Sequence, residues 1–150
     1  MTDRHPHLLP DKARAFLGLI RAGETLDRRL DEALERRHGI TLRAFEVLLF
    51  LVAFSEDGSK RMSDLAAQAP LSQSRVSRLV GDLERRGWVE RSRAHDDGRG
   101  VIVSITEAGR RKFEEAQKTH RADLDEFFFD RLSETELRQL TRITEKLLER

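Results

Sequence analysis

The chain contains no cysteine. Disulfides, thiolate zinc sites and any response to oxidants through a thiol are therefore excluded, and a reducing compartment is the expected setting. Long apolar runs are missing too. The longest, VLLFLVAF from Val47 to Phe54, falls far short of the roughly 20 residues a bilayer-spanning helix needs. The N-terminal stretch MTDRHPHLLPDKAR lacks the apolar core of a secretory signal. No membrane partner and a cytoplasmic location are the resulting expectations. Net charge is almost absent, with 28 Lys+Arg against 27 Asp+Glu, so bulk electrostatics select no partner. Internal repeats and low-complexity segments are also lacking.

Catalytic and metal motifs are equally scarce. There is no G-x-S-x-G, no phosphate-binding loop, no H-E-x-x-H, and no carboxylate pair that spacing places face to face. His5 and His7 fall in the N-terminal tail, His38 at a helix end, His95 in a turn-rich segment and His120 within a helix. None shares the i, i+4 spacing of a zinc helix. HDDGRG lacks the alternating ligands and closing glutamate of a calcium loop. No metal, no cofactor and no enzymatic activity are expected.

What the sequence does contain is charge, 37% of its residues, which suits long solvated helices. The excess positive charge is local: Lys60 to Arg111 holds 11 Lys+Arg against 7 Asp+Glu. A contact surface for phosphates would be placed in that way.

Apolar spacing sets the order of elements. Phe16, Leu19, Ile20, Leu26, Leu30 and Leu34 recur at steps of three and four from Asp11 onward, and His38-Gly39 closes this first helix. Its narrow stripe predicts packing against another long helix, one from a second chain included. Thr41 caps a second helix through Ser55, apolar almost all round and therefore central. EDGSK reads as a turn. Ser63 caps a short helix, SDLAAQA, that stops before Pro70. Ser72 caps the next helix, which Gly87 terminates. WVERSR and VIVSIT alternate as half-buried strands around the turn-rich AHDDGRG. Thr106 starts a long helix, and Ser133 with Glu136 forms a capping box for the last one.

A short helix, a tight turn and a second helix followed by a β-hairpin form a winged helix-turn-helix. The expected fold is mainly α with a small β-hairpin wing, an α+β arrangement. Residues 1–10 are a loose tail, 41–106 the winged DNA-binding region, and 11–40 with 107–150 a helical dimerisation region.

The helix after Ser72 carries the functional argument. With Val76, Leu79, Val80 and Leu83 inward, its other face presents Gln73, Ser74, Arg75, Ser77 and Arg78. Arginine reads guanine through its two-pronged fork, glutamine reads adenine, and serine serves several base edges or phosphate. The helix N-terminus adds free N–H groups for a phosphate. Ser72, Gln73, Ser74, Arg75, Ser77 and Arg78 are therefore the candidate DNA contacts. Arg99, between glycines at the hairpin tip, is the candidate minor-groove contact, and Asp97 the carboxylate that orients an arginine beside it. Glu84, Arg85 and Arg86 serve ion pairing and solubility, and Trp88 anchors the core. The competing class is a helical protein-interaction module with a purely structural hairpin.

These motifs together resemble the MarR family of transcriptional regulators. The similarity rests on Leu83-Glu84-Arg85-Arg86-Gly87, Asp97-Gly98-Arg99 and Ile105-Thr106-Glu107-Ala108-Gly109, and extends through MSDLAAQAPLS and LSETELRQL. Two departures stand out: Gly98 replaces a common arginine, removing one wing contact, and Ile105 replaces a leucine. The resemblance implies a homodimer held by its terminal helices, double-stranded DNA with a palindromic operator as partner, and Arg99 in the minor groove. It also implies repression relieved by a small aromatic or phenolic effector in a crevice between the dimer helices and the winged region. The effector's identity and its contact residues stay unknown at this point.

Overall fold

The computed structural model describes residues 10–69, 71–96 and 98–149. Helix α1 runs Asp11–His38 and ends where Gly39 takes a left-handed conformation, φ 63°, with its N–H on the Glu35 carbonyl. Helix α2, Leu42–Ala53, is capped by the Thr41 side chain, which accepts the Ala44 N–H. Strand β1, Ser59–Arg61, leads directly into α3, Met62–Gln68. Helix α4, Gln73–Arg85, is followed by strands β2, Val89–Arg93, and β3, Val101–Ile105. Helix α5, Glu107–Phe127, a short 3-10 turn at Phe129–Arg131, and α6, Glu134–Leu148, complete the chain.

Three expectations need correction. EDGSK is not only a turn: its last two residues and Arg61 form β1, so the sheet has three antiparallel strands in the order β1-β3-β2. A strand this short and polar has no period of its own; it exists because β3 supplies its ladder, Lys60 lying opposite Val103. Ser63 does not cap α3. That helix begins at Met62 behind Arg61, without a side-chain cap, because the strand already fixes the backbone leading into it. The strand WVERSR does not alternate: only Val89 of β2 is buried. Trp88 precedes that strand and is half-buried, its ring faced by Arg86 at 5.0 Å and Lys112 at 5.4 Å.

The core forms around α2. Phe45, Leu48 and Leu51 meet Leu65 of α3, Val76, Val80 and Leu83 of α4, Val89 and Val103 of the sheet, and Phe113 of α5. Phe45 stacks on Phe113 with ring centroids 5.3 Å apart. One glycine is required by this packing. A Cβ at Gly109 would lie 2.1 Å from the Trp88 carbonyl oxygen, so α5 reaches β2 only because residue 109 has no side chain. Thr106 seals the junction by capping α5 and donating its hydroxyl to the Gly87 carbonyl at 2.6 Å.

The C-terminal end of α1 is tied to α5. Arg37 donates from Nη1 to both carboxylate oxygens of Asp123, at 2.9 and 3.2 Å, and Asp123 is buried. His38 Nε2 lies 2.8 Å from the Thr119 hydroxyl. By contrast, Phe16, Leu17, Leu19 and Ile20 of α1 and Ile143, Leu147 and Leu148 of α6 are exposed. Helix α6 has the expected capping box but buries no residue against its own chain.

Candidate nucleic-acid interface

Helix α4 is the element that positions the candidate residues. Val76, Val80 and Leu83 are buried and Leu79 is half-buried, which fixes the rotation of the helix on the core. Gln73, Ser74, Arg75 and Arg78 are consequently exposed, and Ser77 is half-buried. At 3.6 residues per turn, Gln73 and Ser77 occupy one flank of this face, Arg75 and Arg78 the other, with Ser74 between them. Ser72 caps the helix, accepting the Arg75 N–H at 3.4 Å, and its hydroxyl lies 3.2 Å from that of Ser74. Capping fixes the Ser72 oxygen against the helix end, with Ser74 beside it.

Each flank borders a hollow. Arg75 and Arg78 line one of about 320 Å³ together with Leu71, Leu79, Asp82 and Arg43. Gln73 and Ser77 line another of about 370 Å³, whose far wall includes Arg99 and Val101 of the hairpin. The fold thus brings Arg99 to the Gln73–Ser77 side of the helix and leaves Arg75 and Arg78 on the opposite flank. The hairpin loop is closed by the Ala94 N–H on the Gly100 carbonyl at 2.9 Å, and Gly98 turns the tip with φ 66°. Arg99 is exposed. Asp97, the expected supporting carboxylate, lies outside the described residues. The neighbouring Asp96 accepts from Arg61 of β1.

Arg43, Arg61 and Arg91 border these hollows and escaped the reading of the sequence. Arg43 stands in the first turn of α2, bonded to Asp27 of α1 and, at 2.8 and 2.9 Å, to Glu46. Burial disfavours its charge, but the bonds and charges of Glu46 and Asp27 outweigh this and raise its pKa. Arg91 bonds Glu84 through Nε at 2.9 Å, and its hydrogen bonds hold the Glu84 carboxyl below its ordinary pKa. The predicted ion pairing of the helix end is observed: Arg85 pairs with Asp82, and Arg86 reaches the Gly39 carbonyl at 2.6 Å. A sequence signal for Arg91 existed in its position on a strand flanking the helix. Arg61 had none, because β1 itself was not foreseen.

Among the described residues no group of three or more His, Asp or Glu side chains is arranged to hold a metal ion. No described helix is long and apolar enough to cross a membrane. His120 departs from a plain stripe residue: it lies 4.7 Å from the Phe45 ring, and its Nδ1 is buried without a hydrogen-bond partner.

Comparison with known proteins agrees with this geometry. The MarR family model matches residues 38–100, from the end of α1 to the wing. The transcriptional repressor MprA of Escherichia coli is 32% identical over 115 residues, covering 77% of this chain and 64% of that protein. The chain therefore spans a little under two thirds of that relative's length. An HTH-type transcriptional regulator of Bacillus subtilis, YwhA, is 31% identical over 120 residues, covering 80% of this chain and 83% of its own length. Among solved structures, Sco3205 of Streptomyces coelicolor, a MarR family transcriptional regulator in complex with DNA, superposes with a TM-score of 0.88. It is 28% identical, with 93% of this chain and 87% of that chain covered.

Proposed function

The chain belongs to the MarR family, and from that membership we propose that it is a sequence-specific DNA-binding transcriptional regulator, a repressor acting as a homodimer on a palindromic operator. One observation carries the reading. Gln73, Ser74, Arg75 and Arg78 stand exposed on a single face of α4, flanked by the wing that holds Arg99. These are the side chains that read base edges and narrow minor grooves. In this reading Arg75 and Arg78 contact bases, Gln73, Ser74 and Ser77 contact bases or phosphates, Ser72 adds the helix cap's edge, and Arg99 enters the minor groove. Asp97 orients an arginine of the wing.

The second copy is assigned to the apolar faces that the chain leaves uncovered. Phe16 is 65% and Leu147 63% exposed, at the N-terminal half of α1 and on α6. Contiguous apolar surface of this kind marks an interface. Residues 11–40 and 107–150 are thus the dimerisation region and 41–106 the winged region. A twofold axis through the terminal helices would repeat α4 at a spacing of about one helical turn of DNA. A small aromatic or phenolic effector, bound between the dimer helices and the winged region, would release DNA by favouring a different α4 spacing; it must bind the two states unequally to do so. The protein has no catalytic role in this reading and works in the cytoplasm.

A fluorescence titration of the purified protein with the DNA upstream of its own gene, at several salt concentrations, tests the proposal. Saturable binding that weakens steeply with salt, by a species sedimenting as a dimer, is expected. Absent binding, or binding indifferent to salt, contradicts it and favours a protein-interaction module.

A further inference from the structure

A recognition helix in a major groove and a wing arginine in the adjoining minor groove sit on either side of one sugar–phosphate strand. Whatever lies between helix and wing faces that strand. Here the intervening space is the cleft of about 370 Å³ bordered by Gln73 and Ser77 of α4 and by Arg99 of the wing. Arg61 and Arg91 also line it, with the Ser63 hydroxyl, and no carboxylate does. The larger hollow along the outer side of the hairpin, about 750 Å³, differs in kind, setting Glu56, Asp57, Asp64 and Asp96 among its basic residues.

We propose that the cleft between α4 and the wing is a seat for a backbone phosphodiester, gripped by Arg61 and Arg91 together with Arg99. This rests on the DNA-binding reading above and extends it to two residues on the sheet.

Arg61 ends β1 opposite Ile102, and Arg91 lies at the centre of β2 opposite Val103, so β3 sets the spacing of the two side chains. Each guanidinium is steadied by a carboxylate that does not line the cleft. Asp96 accepts from Arg61. Glu84 accepts from Arg91 Nε at 2.9 Å and from the Arg91 backbone N–H at 3.2 Å. Gly100 makes room for this arrangement: a Cβ there would fall 2.7 Å from Arg61 Nη1 and 3.2 Å from the Ala94 Cβ. Arginine forks restrained in this way match the paired oxygens of a phosphate. The hydroxyls of Ser63 and Ser77 and the Gln73 amide supply neutral donors beside them.

The test uses the full chain and the tightest duplex recovered by selection from a random library, with affinities measured between 50 and 200 mM salt. Arg61→Ala and Arg91→Ala should each flatten the slope of log K against log salt by about 0.9. Over a fourfold rise in salt each variant then loses about 3.5-fold less affinity than the wild type. Base preference in a repeated selection should stay as in the wild type, because phosphate contacts carry no sequence. Glu84→Gln, which leaves Arg91 without its competing carboxylate, should tighten binding. Thermal melts accompany every variant, and where Arg61→Ala melts early, Arg61→Lys must restore the slope.

Wild-type slopes in both alanine variants, with binding otherwise intact, overturn the seat and leave the DNA reading standing. No saturable binding by the wild type overturns both. Inorganic phosphate titrated against the arginine Nε resonances separates the sources of the anion. Saturable shifts at Arg61 and Arg91 combined with unchanged salt slopes would assign the cleft to a small free anion and overturn the DNA phosphate.

Discussion

Replacing Arg37 by methionine removes the partner of the one buried charged side chain among the described residues, Asp123, which is 2% exposed. The size of the effect follows from the asymmetry of the pair. Exposed ion pairs contribute about 0–1 kcal/mol, whereas breaking a buried one costs about 3–5 kcal/mol. The Arg37 side chain is 44% exposed and the Asp123 side chain 3%, so the attraction is partly screened while the carboxylate left behind is not. Both bonds also come from a single nitrogen, Nη1, and not from the full fork. An intermediate loss of about 2–3 kcal/mol is therefore expected for Arg37→Met. With a urea slope of about 2 kcal/mol per molar, the unfolding midpoint falls by about 1–1.5 M. Protein concentration must be held constant, because a dimer's midpoint depends on it. The double variant Arg37→Met/Asp123→Leu should recover most of the loss, since neither charge then remains unpaired. A single variant within 0.5 kcal/mol of wild type, or a double variant no better than the single, refutes the reasoning.

Two further outcomes follow from local geometry. Gly109→Ala should destabilise by about 1–3 kcal/mol in the same assay, because overpacking against the Trp88 carbonyl outweighs the gain of alanine in a helix. Gly81→Ala, whose Cβ would meet only Arg85 Nη1 at 3.7 Å, should instead gain up to about 1 kcal/mol. Burial beside Phe45 lowers the His120 pKa below 6.5, and the nearby Asp123 charge opposes this only in part. The folded state therefore binds the proton more weakly than the unfolded chain. Its stabilising share is complete above about 6.5 and is lost as pH falls through the depressed folded value. Melting curves from pH 7.5 to 5 should show a decline that His120→Gln reduces; an identical decline in that variant contradicts the assignment.

Features set by a few consecutive residues were readable in the sequence. Asp11 to Gly39 could be bounded because its stripe and its glycine stop are local, and the same holds for the caps at Thr41, Ser72, Thr106 and Ser133. Features set by partners far along the chain were not. Strand β1 exists through pairing with residues 102–104, and Arg37 meets Asp123 across 86 positions of sequence. The candidate site divides in the same way. Gln73 to Arg78 could be placed together because one helix presents them, and Arg99 because glycines mark the tip of its loop. That Arg99 shares a cleft with Gln73 and Ser77, and that Arg61 and Arg91 join them, depends on the register of β3 against both of its neighbours. No short stretch of residues encodes that register.

The central claim is that α4 reads bases. Its most direct test is the base preference of the wild type, Arg75→Ala, Arg78→Ala and Arg99→Ala, each selected on the same pool of random duplexes. The account predicts a palindromic wild-type site with half-sites about one helical turn apart, and loss of preference at particular positions worth about 1–3 kcal/mol per half-site for Arg75→Ala or Arg78→Ala. Arg99→Ala should weaken all sequences more evenly. Recovery of one unchanged site by all four proteins, at equal affinity, would contradict it.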